Sequence, residues 1–177
     1  MRKIICFLIT FFALNLTAQD LKNYQIYNKK ERQVDFGTMI KELSKYDVVL
    51  FGEHHNNAVN HWLQLQTTKA LYQIKKNQLI LGAEMFERHQ QSNLSAYISG
   101  KITEKEFQNN TKLWQNYTTD YKPLVDFAKD FQLKFVATNV TRKYASYVAK
   151  SGLSSLDTIS NEEKNLMVKL PLTIDYK

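Results

Sequence analysis

The sequence predicts an α/β domain, a mostly parallel sheet flanked by helices. Three apolar runs of strand length, at 48–51, 79–86 and 133–140, are separated by stretches with apolar residues at helical spacing. The runs are nearly continuous rather than alternating, as in strands covered on both faces. Glycine and proline are scarce, and no repeat or low-complexity segment interrupts the alternation.

Residues 20–35 read as a polar lead-in with a short strand near Tyr24–Tyr27. Met39, Ile40 and Leu43 mark a helix over 37–45, and Val48–Phe51 follows as a buried strand. Val59, Leu63, Ala70, Leu71 and Ile74 share one face of a helix from about 57 to 76. After the second run, short helical pieces occupy 90–114. Tyr121, Leu124, Val125 and Ala128 define an amphipathic helix over 121–131, with Pro123 tolerated in its first turn. Beyond the third run, helices are predicted at 142–150 and 160–170.

The first 19 residues are set apart. Arg2 and Lys3, an apolar stretch from Ile4 to Leu16, then Thr17-Ala18-Gln19 have the layout of a secretory signal peptide, too short for a spanning helix. Residues 20–177 then form one domain, large enough for a real core. Cys6 is the one cysteine. It lies too early for a lipid-attachment site, so the exported chain is expected without that anchor, in the periplasm or outer envelope. Without cysteine, a metal or haem must be held by His, Tyr, carboxylate, Asn or Met. Of 24 basic and 17 acidic side chains, removing the leader's two leaves 22 against 17, a net +5. The lysines are scattered, which argues against a nucleic-acid partner. The excess suits a ligand bearing carboxylates or an anionic envelope surface.

In parallel sheets, ligands bind beyond the carboxyl ends of the strands. All three runs end in polar chemistry there: Glu53-His54-His55, then Glu84 and Arg88, then Asn139 and Arg142. His54 and His55 are adjacent and point apart, so one of them is expected in the site. His61 is placed to reach back toward it, while His89 reads as structural or exposed. Glu84 sits in an apolar run, where a buried carboxylate needs a partner; a salt bridge to Arg88 or Arg142 is the plainer role. Asn56 or Asn57 could equally cap the following helix, and Asn139 with Arg142 the next one. Tyr117 and Tyr121 are more often packing residues, although a tyrosinate can ligate ferric haem.

Residues "GEHHNNAVNH", "GAEMFERHQQ", "WQNYTTDYKPLVDFAK" and "VATNVTR" occur in that order. Together they resemble the four blocks of the ChaN-like haem-binding uptake proteins of the Tiki superfamily, over about residues 36–150. The resemblance implies an α/β fold, an envelope location and haem binding in iron or haem uptake. It also implies a homodimer with facing haems and an envelope transporter as a further partner. It places the iron ligand on no single matched position; on the binding reading the candidates are His54, His55, His61 and Tyr121, with His55 joined by His54 or a tyrosine. Glu53, Glu84, Arg88, Asn139 and Arg142 become pocket polar groups, with the arginines toward propionates, and Met85, Phe86 and Trp114 the porphyrin's apolar cover. Family members are often lipoproteins and usually longer, so a missing C-terminal part is expected. The wider superfamily also resembles metal-dependent hydrolases. On that alternative Glu53, His55, His61 and Glu84 would hold Mn, Co or Zn, whose bound water becomes the nucleophile. A third possibility is a fragment that binds nothing.

Overall fold

The computed structural model describes residues 23–169. The leader expected at 1–19 lies outside them. The chain opens with a small antiparallel pair, β1 (Ile26–Tyr27) and β2 (Gln33–Val34). Helix α1 (Phe36–Leu43) starts at Asp35, whose carboxylate accepts from the Thr38 N–H at 2.8 Å and the Thr38 hydroxyl at 2.7 Å. Helix α2 (Ala58–Lys75) is capped by Asn57, whose side-chain oxygen accepts from the Asn60 N–H at 2.9 Å.

Strand β3 (Leu81–Glu87) leads through a single 3₁₀ turn into α3 (Gln91–Ile98). Helix α4 (Glu104–Asn110) begins with a capping box between Thr103 and Glu106. It stops at Asn110, short of the expected 114. A π-helical turn, Tyr117–Tyr121, feeds α5 (Lys122–Asp130), which has Pro123 in its first turn. Strand β4 (Phe135–Asn139), α6 (Arg142–Ser151) and α7 (Asn161–Lys164) complete the described order. Lys143 and Tyr144 on α6 both donate to Glu163 on α7, at 2.9 and 2.7 Å, and these bonds hold its carboxyl down at about 2.

The sheet corrects the expectation. Among the described residues the parallel sheet has two strands, β3 and β4, not most of a doubly covered sheet. Leu81 pairs with Phe135 and Ala83 with Ala137, but Glu87 pairs with Asn139. That shift turns two consecutive side chains, Met85 and Phe86, into the core. Leu133, Phe135 and Ala137 face the same interior, with α3 and α5 packed over it, while Gly82, Glu84 and Thr138 on the other face are exposed. Aromatic packing fills the core: Tyr97 stacks on Phe107 at 4.8 Å, and Phe86 meets Phe135 edge-on at 5.7 Å.

Residues 48–51 are the main departure. They form no strand, and Leu50 is 91% exposed. A strand needs a ladder partner as well as apolar side chains, and this run has none among the described residues. The outer edge of β4 is occupied by side chains instead. Gln91 donates from Nε2 to the Phe135 carbonyl at 2.9 Å and accepts from the Ala137 N–H at 2.8 Å. Arg88 donates to the Ala137 carbonyl at 3.2 Å. Together they act as a neighbouring strand would, blunting the edge.

Candidate functional site

The residues that converge come from the 52–57 loop, the start of α2 and the π-helical turn. Glu53 is the hub. Its Oε1 accepts from the Tyr121 hydroxyl and lies 2.8 Å from His55 Nδ1, and its Oε2 accepts from Gln64 Nε2 at 2.8 Å. Burial pushes the Glu53 carboxyl up, but these three bonds and the nearby His61 outweigh it and leave it below its ordinary value. The same contact acts oppositely on Tyr121. Burial, the bond to Glu53 and the charges of Glu53, Asp120 and Glu84 all push its phenol far up. Tyr121 is therefore a buried, protonated donor whose oxygen is already engaged.

His61 is buried beneath this hub, edge-on to Tyr121 at 4.8 Å. Its Nε2 lies 3.1 Å from the His55 carbonyl, 3.6 Å from Asp120 and 3.9 Å from Glu53, and its Nδ1 lies 3.3 Å from Gln64 Oε1. Asn116 donates to the same His55 carbonyl and to Asp120, both at 2.8 Å. His55 is thus held at both ends while its ring stays half exposed, resting edge-on against Trp114 at 5.1 Å. With Nδ1 turned to a carboxylate, which can only accept, the neutral ring is favoured with its proton on that nitrogen.

Glu53, His55, His61, Tyr121 and Trp114 lie together in the structure, and His61 and Tyr121 have their polar atoms spent inside the cluster. His54 is exposed on the loop beside it. Glu84 is not buried: it stands on the exposed face of β3, because the strand's pleat turns it away from the core. Its charge still reaches Tyr121. Met85 and Phe86 are 2% and 0% exposed, so they pack the core and cannot cover a porphyrin.

Arg88, Asn139 and Arg142 form a second group at the strand ends. Asn139 stands in register with Glu87, whose carboxylate accepts from the Arg142 N–H at 3.0 Å, and His89 lies 3.2 Å from the Thr141 hydroxyl. Gln64, Asn116 and Asp120 were missed by the sequence analysis. Gln64 was findable one helical turn after His61; Asn116 and Asp120 carry no local signal.

Two clefts of about 500 and 520 Å³ mark the surface, one along β4 beside Gln91 and Ile98, the other between Thr138, Leu156 and Met167. Neither is lined by Glu53, His55 or Tyr121. Among the described residues, no group of three or more His, Cys, Asp or Glu side chains is placed to hold a metal ion. The alternative site for Mn, Co or Zn built on Glu53, His55, His61 and Glu84 is therefore not supported.

Residues 39–177 match the family described as haem-binding uptake, Tiki superfamily, ChaN. No curated protein and no solved structure matches the chain.

Proposed function

The chain belongs to the haem-binding uptake family, Tiki superfamily, ChaN, and on that premise we propose that it binds haem at the His55 corner and serves haem or iron uptake at the cell envelope. One observation carries the choice of residue: His55 Nδ1 lies 2.8 Å from the Glu53 carboxylate and its half-exposed ring rests on Trp114, whereas the half-exposed His89 makes a looser contact with Glu87, at 3.5 Å. The donor set fits the group. Imidazole suits haem iron, and Trp114 offers an aromatic edge beside it. Bound haem would supply a redox-active iron with one position for His55; the protein supplies the donor, its orientation and an apolar flank.

The half-exposed ring of His55 supports a homodimer. A monomer leaves one porphyrin face in water, whereas such sites normally bury most of their ligand. The exposed apolar residues Val48, Leu50 and Phe51, just before Glu53, suit a porphyrin or a second copy. The basic surplus suits propionates, and the leader-like start suits export to the periplasm or outer envelope, where a transporter would be the partner.

Titration of the purified protein with hemin is expected to give a saturable Soret shift. His55→Ala should weaken binding by at least ~10-fold, and His89→Ala should leave it unchanged. A His55→Ala variant that titrates like the parent protein overturns the assignment.

A further inference from the structure

We propose that the end of the molecule opposite the His55 corner docks on an anionic bilayer surface. Helix α2 joins the two ends. Its amino end adjoins the 52–57 loop, and its 18 residues carry the chain about 27 Å along the axis to Lys75. The ends of α2, α3 and α5 and the starts of β3 and β4 meet there. Tyr72, near the end of α2, packs on Phe131, just past α5, with ring centroids 4.5 Å apart. The Leu81 N–H, at the start of β3, donates to the Lys134 carbonyl at 2.9 Å. Gln132 donates from Nε2 to the carbonyl of Ile98, the last residue of α3, at 2.9 Å.

The segments gathered at this end, 72–81, 98–101 and 127–135, carry five lysines, Lys75, Lys76, Lys101, Lys129 and Lys134, against one acid, Asp130. Among the described residues none of the five forms a salt bridge. Two exposed apolar side chains stand on the same segments, Ile80 at 56% and Phe131 at 41%. The cleft of about 500 Å³ along β4 includes Lys134 and Arg88 in its lining and no carboxylate. Ammonium groups beside exposed apolar side chains suit a bilayer surface: the charges meet anionic headgroups, and the apolar groups enter the boundary with the acyl chains. Lysines near helix carboxyl ends also offset the helix dipole, but that role does not account for exposed Ile80 and Phe131. Among the described residues no helix is long and apolar enough to cross a membrane, so the contact made by this end is with the surface. Docked in this way, the chain holds the His55 corner away from the lipid and open to a ligand.

Cosedimentation of the full chain with phosphatidylcholine vesicles, with and without phosphatidylglycerol, tests the inference. The readout is the binding gained on adding phosphatidylglycerol, since an apolar leader would enter both kinds of vesicle. The gain should be largest at low salt and shrink as salt screens the charges. Lys75→Gln with Lys76→Gln should weaken binding to the anionic vesicles by at least ~10-fold. Lys30→Gln with Lys105→Gln removes the same charge from exposed positions elsewhere and should change it by less than ~3-fold. Ile80→Ser, at a side chain more than half exposed, should weaken binding at an unchanged Tm. No gain with phosphatidylglycerol overturns the inference, and so do equal losses in the two double variants, which would reduce the effect to net charge. Tighter binding to soluble polyglutamate than to the anionic vesicles would give this end to an acidic protein and overturn the bilayer as its partner. None of these readouts involves haem, so they stand or fall apart from the assignment of His55.

Discussion

Removing one hydroxyl, in Tyr121→Phe, isolates the bond that joins the π-helical turn to the 52–57 loop. Tyr121 is 3% exposed, so water does not replace the lost donor, and the ring's packing against His61 and Trp114 is retained. A hydrogen bond to a charged group contributes roughly 1.5–3 kcal/mol. About 2 kcal/mol is expected here, a fall in Tm of about 4–8 °C for a chain of this size. The effect should depend on pH in one direction. Glu53 has a folded pKa below its unfolded value, so its contribution is complete above the unfolded value near 4.5 and is lost as pH falls through the folded one. Without the Tyr121 donor, burial pushes that carboxyl up with less opposition, and the variant loses its Glu53 contribution already at higher pH. Urea unfolding from about pH 7 to about pH 3 should therefore show a gap between the two proteins that closes in acid. Equal stability at neutral pH would mean that the bond contributes nothing. A gap constant across pH would mean that the hydroxyl acts through packing, not through the Glu53 charge.

Phe86→Ala should cost ~3–5 kcal/mol in denaturant unfolding, because the ring is fully buried between Phe107 and Phe135; a loss below ~1 kcal/mol would contradict that packing. Gln91→Ala leaves the Phe135 carbonyl and Ala137 N–H without the amide that pairs them. It should cost ~1–3 kcal/mol and promote self-association in sedimentation, and a variant as stable and as monodisperse as the parent would refute the edge-guard role. Leu50→Glu should change stability by no more than ~0.5 kcal/mol, since the side chain is 91% exposed. A loss of several kcal/mol would show that 48–51 packs as a strand after all.

Much of the secondary structure was legible because it is local. The helical spacing of Met39, Ile40 and Leu43, and of Leu124, Val125 and Ala128, located α1 and α5 to within a residue or two. The caps at Asp35, Asn57 and Thr103 depend on bonds spanning only three residues. Strands were less secure. The runs at 79–86 and 133–140 became β3 and β4, but the equally apolar 48–51 did not, because pairing depends on what lies alongside. Glu84 looked buried for the same reason: an apolar neighbourhood along the chain does not say which side of the pleat meets the core.

The candidate site divides in the same way. His55 and His61, six residues apart across a loop-to-helix junction, could be placed together from the chain alone. The bond between Glu53 and Tyr121 spans 68 residues and has no local trace. Sequence by itself settled the family's motif order, the helices and the supply of imidazole and carboxylate groups, since these follow from short-range geometry and residue chemistry. Tertiary structure alone decided which nitrogen of His55 is engaged, that Tyr121 is a buried donor and that Met85 and Phe86 belong to the core. Those outcomes depend on burial and on partners brought close only when distant segments pack.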